Sequence, residues 1–212
     1  MAIQVSGTTV INDSRELQNI ASLDSTTAAT IGAAAGGGGL TELLVDNQAL
    51  SANTYAIDID IGTIASTYYD RYIISITNLQ AGTAYVYPRL RVKNLYGFVV
   101  GSPSNYYSYG LHNANDQHQR SLLSYVPLQY NQNDSGNRMS IMLDLWYPYS
   151  SVRKTTGFWK SITGVSASYP IEVTNGAFIA NNGTGVDQNR GVYIYFSSGT
   201  MLGQYSVWGQ NP

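Results

Sequence analysis

An all-β fold, an antiparallel two-sheet sandwich in the style of a jelly roll, is what this sequence predicts, and three observations carry the expectation. Apolar and polar residues alternate in five separate runs between Ile57 and Phe196, the period of a strand with one buried face. Turn residues fall between or beside the runs, at Gln80-Ala81-Gly82, Asn133-Asp134-Ser135-Gly136, Asn175-Gly176, Asn182-Gly183 and Ser198-Gly199. Beyond residue 40 no stretch reads as a helix of any length, and many strands without helices argue for a sandwich.

The first element is a compact arm, residues 1–31, which a Gly/Ala linker, residues 32–40, sets apart from a domain spanning 41–212. Ile3 and Val5 alternate with Gln4, Ser6-Gly7 has turn chemistry and Val10-Ile11 gives a return strand, so a miniature hairpin is expected. A helix start follows, with Asp13 and Glu16 as a pair resembling a capping box. Leu17, Ile20 and Leu23 then recur at helical spacing, Asp24 caps a second short turn, and Ala28, Ala29 and Ile31 continue the stripe. Units below about 40 residues usually need a partner, a metal or disulfides to fold. The arm is therefore expected to dock on another protein through Ile3, Val5, Val10, Ile11, Leu17, Ile20, Leu23 and Ile31. Glycine-rich linkers behave as flexible coils, which lets arm and domain orient separately.

The strands of the domain follow in order. Ile57, Ile59 and Ile61 alternate with Asp58 and Asp60, placing isoleucines on one face and acids on the other; Tyr72, Ile74 and Ile76 repeat the pattern. Val86, Pro88, Leu90 and Val92 oppose Arg89, Arg91 and Lys93, a basic outer row, and Pro88 suggests an edge strand or a bulge because it cannot donate to a ladder. Met139, Ile141, Leu143, Leu145 and Tyr147 form the longest clean alternation; Val192, Ile194 and Phe196 form the last.

Composition narrows the function classes. Charged residues are 11% of the chain, against about 25% in an average domain, and Ser, Thr, Asn, Gln, Gly and 18 tyrosines take their place. With a net charge of −2 and no basic block, nucleic acid and anionic lipid are not expected partners. The absence of cysteine removes disulfides, thiolate metal sites and a Cys nucleophile and fits assembly in a reducing cytoplasm. Met1-Ala2 leads directly into a strand, so no signal peptide is expected, and no run approaches the roughly 20 apolar residues of a membrane span.

Candidate chemistry is sparse. Asp58 and Asp60 would stand roughly 6.5 to 7 Å apart by strand rise, within the range of inverting glycosidases, but outward acids alternating with core isoleucines are also what a solvated strand shows. His112 and His118 bracket Asp116 in a polar stretch, Leu111 to Arg120, that reads as an exposed loop; two loop histidines and one acid are too few for a metal site. No catalytic motif is present, and neither an enzyme nor a cofactor is expected. The aromatics in Asn105-Tyr106-Tyr107-Ser108-Tyr109, Trp146-Tyr147-Pro148-Tyr149 and Gly157-Phe158-Trp159-Lys160 lie beside turn residues. Tyr106, Tyr107, Tyr109, Tyr149 and Trp159 are the expected contacts for a glycan or a partner protein, because such rings combine large apolar area with a polar tip.

The string Val5 to Thr27 resembles the N-terminal arm of tail-fibre and other virion structural proteins of tailed bacteriophages, particularly marine and cyanobacterial ones. The stretch Gly191 to Gly209 is similar to the closing hairpin of a β-sandwich module common on the same proteins. The resemblance implies a non-enzymatic virion protein assembled in the host cytoplasm, a tail-fibre-type subunit anchored by its arm to tail, baseplate or capsid proteins. It also implies a homotrimer; a host surface glycan enters only as a candidate contact of the aromatic residues named above. A capsid decoration or cement protein, a carbohydrate-binding receptor-recognition module and, least favoured, a glycan depolymerase are the alternatives. The small single sandwich and the lack of a β-helix repeat count against the last.

Overall fold

In the computed structural model the described residues are 3–5, 8–11, 41–65, 69–97, 99–100, 106–112, 116–129, 137–164, 171–180 and 188–211; the side chains of 3–11, 112 and 116–122 lie outside that description. The chain divides into two units, Met1–Gly38 and Gly39–Pro212. In the first, β1 (Ile3–Val5) and β2 (Thr8–Ile11) form an antiparallel hairpin with Val5 opposite Thr8 and Gln4 opposite Thr9. The helical turns expected to carry Leu17, Ile20, Leu23 and Ile31 lie outside the described residues, as does the linker.

The second unit is a sandwich of two antiparallel sheets. Its strands are β3 (Thr41–Thr54), β4 (Ala56–Asp60), β5 (Arg71–Ala81), β6 (Pro88–Asn94), β7 (Tyr106–His112), β8 (Asp116–Leu123), β9 (Val126–Pro127), β10 (Arg138–Trp146), β11 (Thr156–Gly164), β12 (Ile171–Ala180), β13 (Asn189–Phe196) and β14 (Met201–Gln210), with one helical turn, α1 (Ile61–Ile64), after β4. The small sheet runs β4-β13-β6-β9 and the large one β3-β14-β5-β10-β11-β12-β7-β8. Setting aside β7, β8, β11 and β12, the first remaining strand pairs with the last (β3–β14), the second with the second-last (β4–β13), then β5 with β10 and β6 with β9. That nested order is the double Greek key of a jelly roll.

The four strands set aside arrive as two hairpins inserted at different points of the roll. They join through a β12–β7 ladder and lengthen the large sheet beyond β10. This extension is what the alternation pattern missed. Leu111 to Arg120, expected as a loop, is largely strand: His112 pairs with Asp116 and Gly110 with His118 across the β7–β8 hairpin. Asn175-Gly176, expected as a turn, lies in the middle of β12, because Gly176 makes room for a neighbour. A Cβ there would stand 2.3 Å from the Trp159 indole and 2.5 Å from the Tyr109 carbonyl oxygen, distances that real Cβ atoms do not adopt. Gly157-Phe158-Trp159-Lys160 likewise belongs to a strand, β11, not to a turn.

The core lies between the sheets. Ile57, Ile59, Leu90, Val92, Val192, Ile194 and Phe196 come from the small sheet, and Tyr72, Ile74, Ile76, Met139, Ile141, Leu143, Leu145 and Val207 from the large one. Each belongs to the inward register of its strand, and all but Val207 lie in the runs whose alternation predicted it. β6 is not an edge strand, since β13 and β9 flank it; Pro88 is tolerated because it is the first residue of the strand, where a missing donor matters least.

Candidate functional site

Two outward faces carry the candidate chemistry, one on each sheet. On the large sheet the register fixes which side chains stand together. Tyr109 is opposite Ala177, Ala177 opposite Phe158, Tyr107 opposite Ile179, and Leu111 opposite Asn175, which is opposite Lys160. Directly opposed residues of an antiparallel pair share a face, so Tyr109 and Phe158 form two aromatic walls with the small Ala177 between them. The walls are two strand spacings apart, about 9.5 Å. They frame an open hollow of about 340 Å³ lined by Tyr109, Leu111, Phe158, Asn175 and Ala177, with Trp159 and Gly176 at its base. Tyr109 is 43% exposed and Phe158 56%, and Tyr107, Met142, Ile162, Ile171 and Ile179 add exposed apolar area on the same face.

The small sheet presents a different surface. Asp58 and Asp60, read from sequence as solvated acids, are each engaged. Lys93 Nζ donates to Asp58 Oδ1 at 2.6 Å and lies 3.6 Å from Asp60 Oδ2, while Arg190 Nε donates to Asp60 Oδ1 at 2.6 Å. Asp60 also caps α1, accepting from the Gly62 N–H at 3.1 Å. Lys93 is only 6% exposed, so two carboxylates neutralise a cation that would otherwise be costly to bury. The acids therefore tie β4, β6 and β13 together.

At the β9 side of the same face, Arg89 and Arg91 point outward from β6, opposite Tyr195 and Tyr193 of β13. The Arg89 guanidinium sits 4.2 Å above the Tyr125 ring and that of Arg91 5.2 Å above the Tyr195 ring. Arg91 Nε also donates to the Ser124 carbonyl at 2.9 Å. Burial pushes the Tyr195 hydroxyl above its ordinary range, with Arg91 and Arg89 pulling the other way. Tyr205 is raised by burial as well, reinforced by Asp58.

The residues expected to make contacts separate clearly. Tyr107 and Tyr109 are exposed and lie on the large-sheet face. Tyr106 is a core residue, fully buried, and this corrects its assignment as a contact. Its hydroxyl donates to the Val100 carbonyl at 2.7 Å and accepts from the Val92 N–H at 2.9 Å. Burial drives its pKa well above the ordinary value of 10.0, the Val92 hydrogen bond opposing. Trp159 is also corrected. It is inward-facing and 3% exposed, packed against Phe178 with ring centroids 6.5 Å apart. Tyr149 is half-buried, and its hydroxyl donates to the Arg190 carbonyl at 3.3 Å. Phe158, the outward neighbour of Trp159, is the exposed aromatic that sequence reasoning passed over; placing residues 156–164 on a strand would have found it. Among the described residues no group of three or more His, Cys, Asp or Glu side chains is arranged to hold a metal ion. No family model matches the chain, and no curated protein matches it.

Proposed function

We propose that the chain is a structural attachment subunit of a phage particle, of tail-fibre type, in which the arm anchors and the jelly roll associates with further copies and meets the host surface. The observation that carries this reading is the outward face of the large sheet, where Tyr107, Tyr109, Met142, Phe158, Ile162 and Ile179 are all exposed. An apolar face of this kind on a charge-poor protein marks a contact surface, and homo-oligomers are the commonest way to cover one. The N-terminal resemblance supplies the virion and the expected trimer; a capsid decoration role would use the same face against the head shell. Sedimentation equilibrium of the full chain is the test. A trimer is expected, and Phe158→Lys with Tyr109→Lys should shift it to monomer; a monodisperse monomer for the unaltered chain removes the reading.

A second reading, recognition of a neutral sugar, draws support from the hollow between Tyr109 and Phe158. Its apolar walls suit the C–H face of a pyranose, and Asn175 offers an amide to its hydroxyls. Glycan binding that Phe158→Lys abolishes while the oligomer persists would favour it.

A further inference from the structure

Arg89 and Arg91 of β6 have no use in the reading above. Strand rise places Arg89 and Arg91, two residues apart on one face, roughly 6.5 to 7 Å from each other. Two positive charges that close repel unless something negative lies between or beside them. The carboxylates of this sheet are already engaged, Asp58 with Lys93 and Asp60 with Lys93 and Arg190, and among the described residues no acid pairs with Arg89 or Arg91. The chain as a whole is slightly acidic, with net charge −2, so the pair is not one part of a general basic excess.

Their positions are also fixed in advance. Tyr125 underlies one guanidinium and Tyr195 the other, and the Ser124 carbonyl holds Arg91 at its Nε. With Arg91 Nε given to Ser124 and Arg89 Nε enclosed, the terminal Nη groups are the donors left to meet a bidentate acceptor. Arg89 also reaches the Tyr195 hydroxyl, and Arg89 Nε is enclosed there, so the ring fixes this side chain from a second direction. We infer that Arg89 and Arg91, flanked by Tyr125 and Tyr195, form a binding site for an oxyanion, a sulfate or carboxylate group. Such a group reaches the site either as a free anion or on an acidic saccharide. The site is on the opposite sheet from the aromatic hollow and stands whether or not that hollow makes a subunit or sugar contact.

Calorimetric titration of the full chain at low ionic strength tests this with four probes: sodium sulfate, a sulfated oligosaccharide, an oligouronate and a neutral oligosaccharide of the same length. Saturable, salt-sensitive binding of at least one anionic probe is expected, with none of the neutral one at this site. Arg89→Gln with Arg91→Gln should weaken it at least ~10-fold. Arg138→Gln with Arg153→Gln, which removes the same charge from exposed positions elsewhere, should leave it unchanged. Arg89→Lys with Arg91→Lys keeps the charge and loses the fork, and a clear drop in affinity is expected there too. This second pair decides the matter if the glutamine pair does not fold, which near-ultraviolet circular dichroism reports. Binding of sulfate alone assigns the site to a free anion, and tighter binding of an anionic oligosaccharide assigns it to a glycan. No binding of any anionic probe, or equal binding by the lysine variant and by the unaltered chain, overturns the inference.

Discussion

Tyr106 and Gly176 show how single positions tie chemistry to packing. The Tyr106 hydroxyl bridges two backbone groups, Val92 N–H and Val100 C=O, from a fully buried site, so ionising it would put an unpaired charge in the core. Its folded pKa lies above the unfolded value of 10.0. The stability this contributes is present in full below about pH 10 and is lost as pH rises beyond it, because the unfolded chain releases the proton first. Tyr195 and Tyr205 are shifted in the same direction and steepen the loss. Urea denaturation between pH 8 and 11 should show a flat midpoint, then a fall, with Tyr106→Phe lowering stability at neutral pH and flattening the alkaline slope. At Gly176 the constraint is steric: Gly176→Ala sets a methyl against the Trp159 ring and the Tyr109 carbonyl. Overpacking of that kind costs about 1 to 3 kcal/mol, and the same denaturation assay at pH 7 reads it. No loss in the alanine variant would mean that β12 shifts freely away from β11.

At the scale of elements, the ion-pair network replaces the reading of Asp58 and Asp60 as the outward acids of a solvated strand. Asp60 touches Arg190, Lys93 and the first turn of α1, whereas Asp58 is half exposed and, among the described residues, pairs with Lys93 alone. Asp60→Asn should therefore lower stability by about 1 to 3 kcal/mol, and Asp58→Asn by less, as partly exposed pairs do; equal, negligible losses in chemical denaturation would return both acids to the solvated class. The elements that were legible in the sequence are those with an unbroken apolar inward row, such as Ile57 and Ile59 of β4, Tyr72, Ile74 and Ile76 of β5, Met139 to Leu145 of β10 and Val192 to Phe196 of β13. The extension was not, for a physical reason. The inward positions of β11 and β12 include Ser161, Thr163, Thr174, Glu172 and two glycines, so the alternation that betrays a half-buried strand is absent. Outward aromatics such as Phe158 then looked like turn neighbours of Trp159, and the exposed ring was read one position off. The basic row on β6 was visible as a row. Its division into a buried Lys93 with acids and two arginines without them depends on which strands become neighbours, and alternation along one strand cannot convey that. At the outer edge of the large sheet, β3 is long and mostly exposed. Asn47 interrupts it with φ of 42° and donates its N–H to Ser206 Oγ at 3.0 Å, a local irregularity of the kind that keeps exposed edges from pairing with other chains.

For the whole molecule, the division into Met1–Gly38 and Gly39–Pro212 separates the question of folding from that of attachment. The second unit contains both sheets and the whole of the core described above, and at this size a single core is enough for independent stability. A chain lacking residues 1–39 should therefore retain its melting transition almost unchanged. The arm has little to offer except its aliphatic side chains, each contributing about 1.5 to 3 kcal/mol when buried against a partner. If the arm anchors the chain to a phage particle, as proposed above, Leu17→Asp with Ile20→Asp in the full chain should block incorporation into particles as completely as the deletion does, because two buried charges cost more than the arm gains. Complementation of a phage deleted for this protein, followed by mass spectrometry of purified virions, measures both variants. Loss of the chain from virions in each, with an intact melt, places attachment in the arm. Normal copy number of the truncated chain would place attachment on the jelly roll itself, where the exposed large-sheet face is the surface available to clamp a capsid shell.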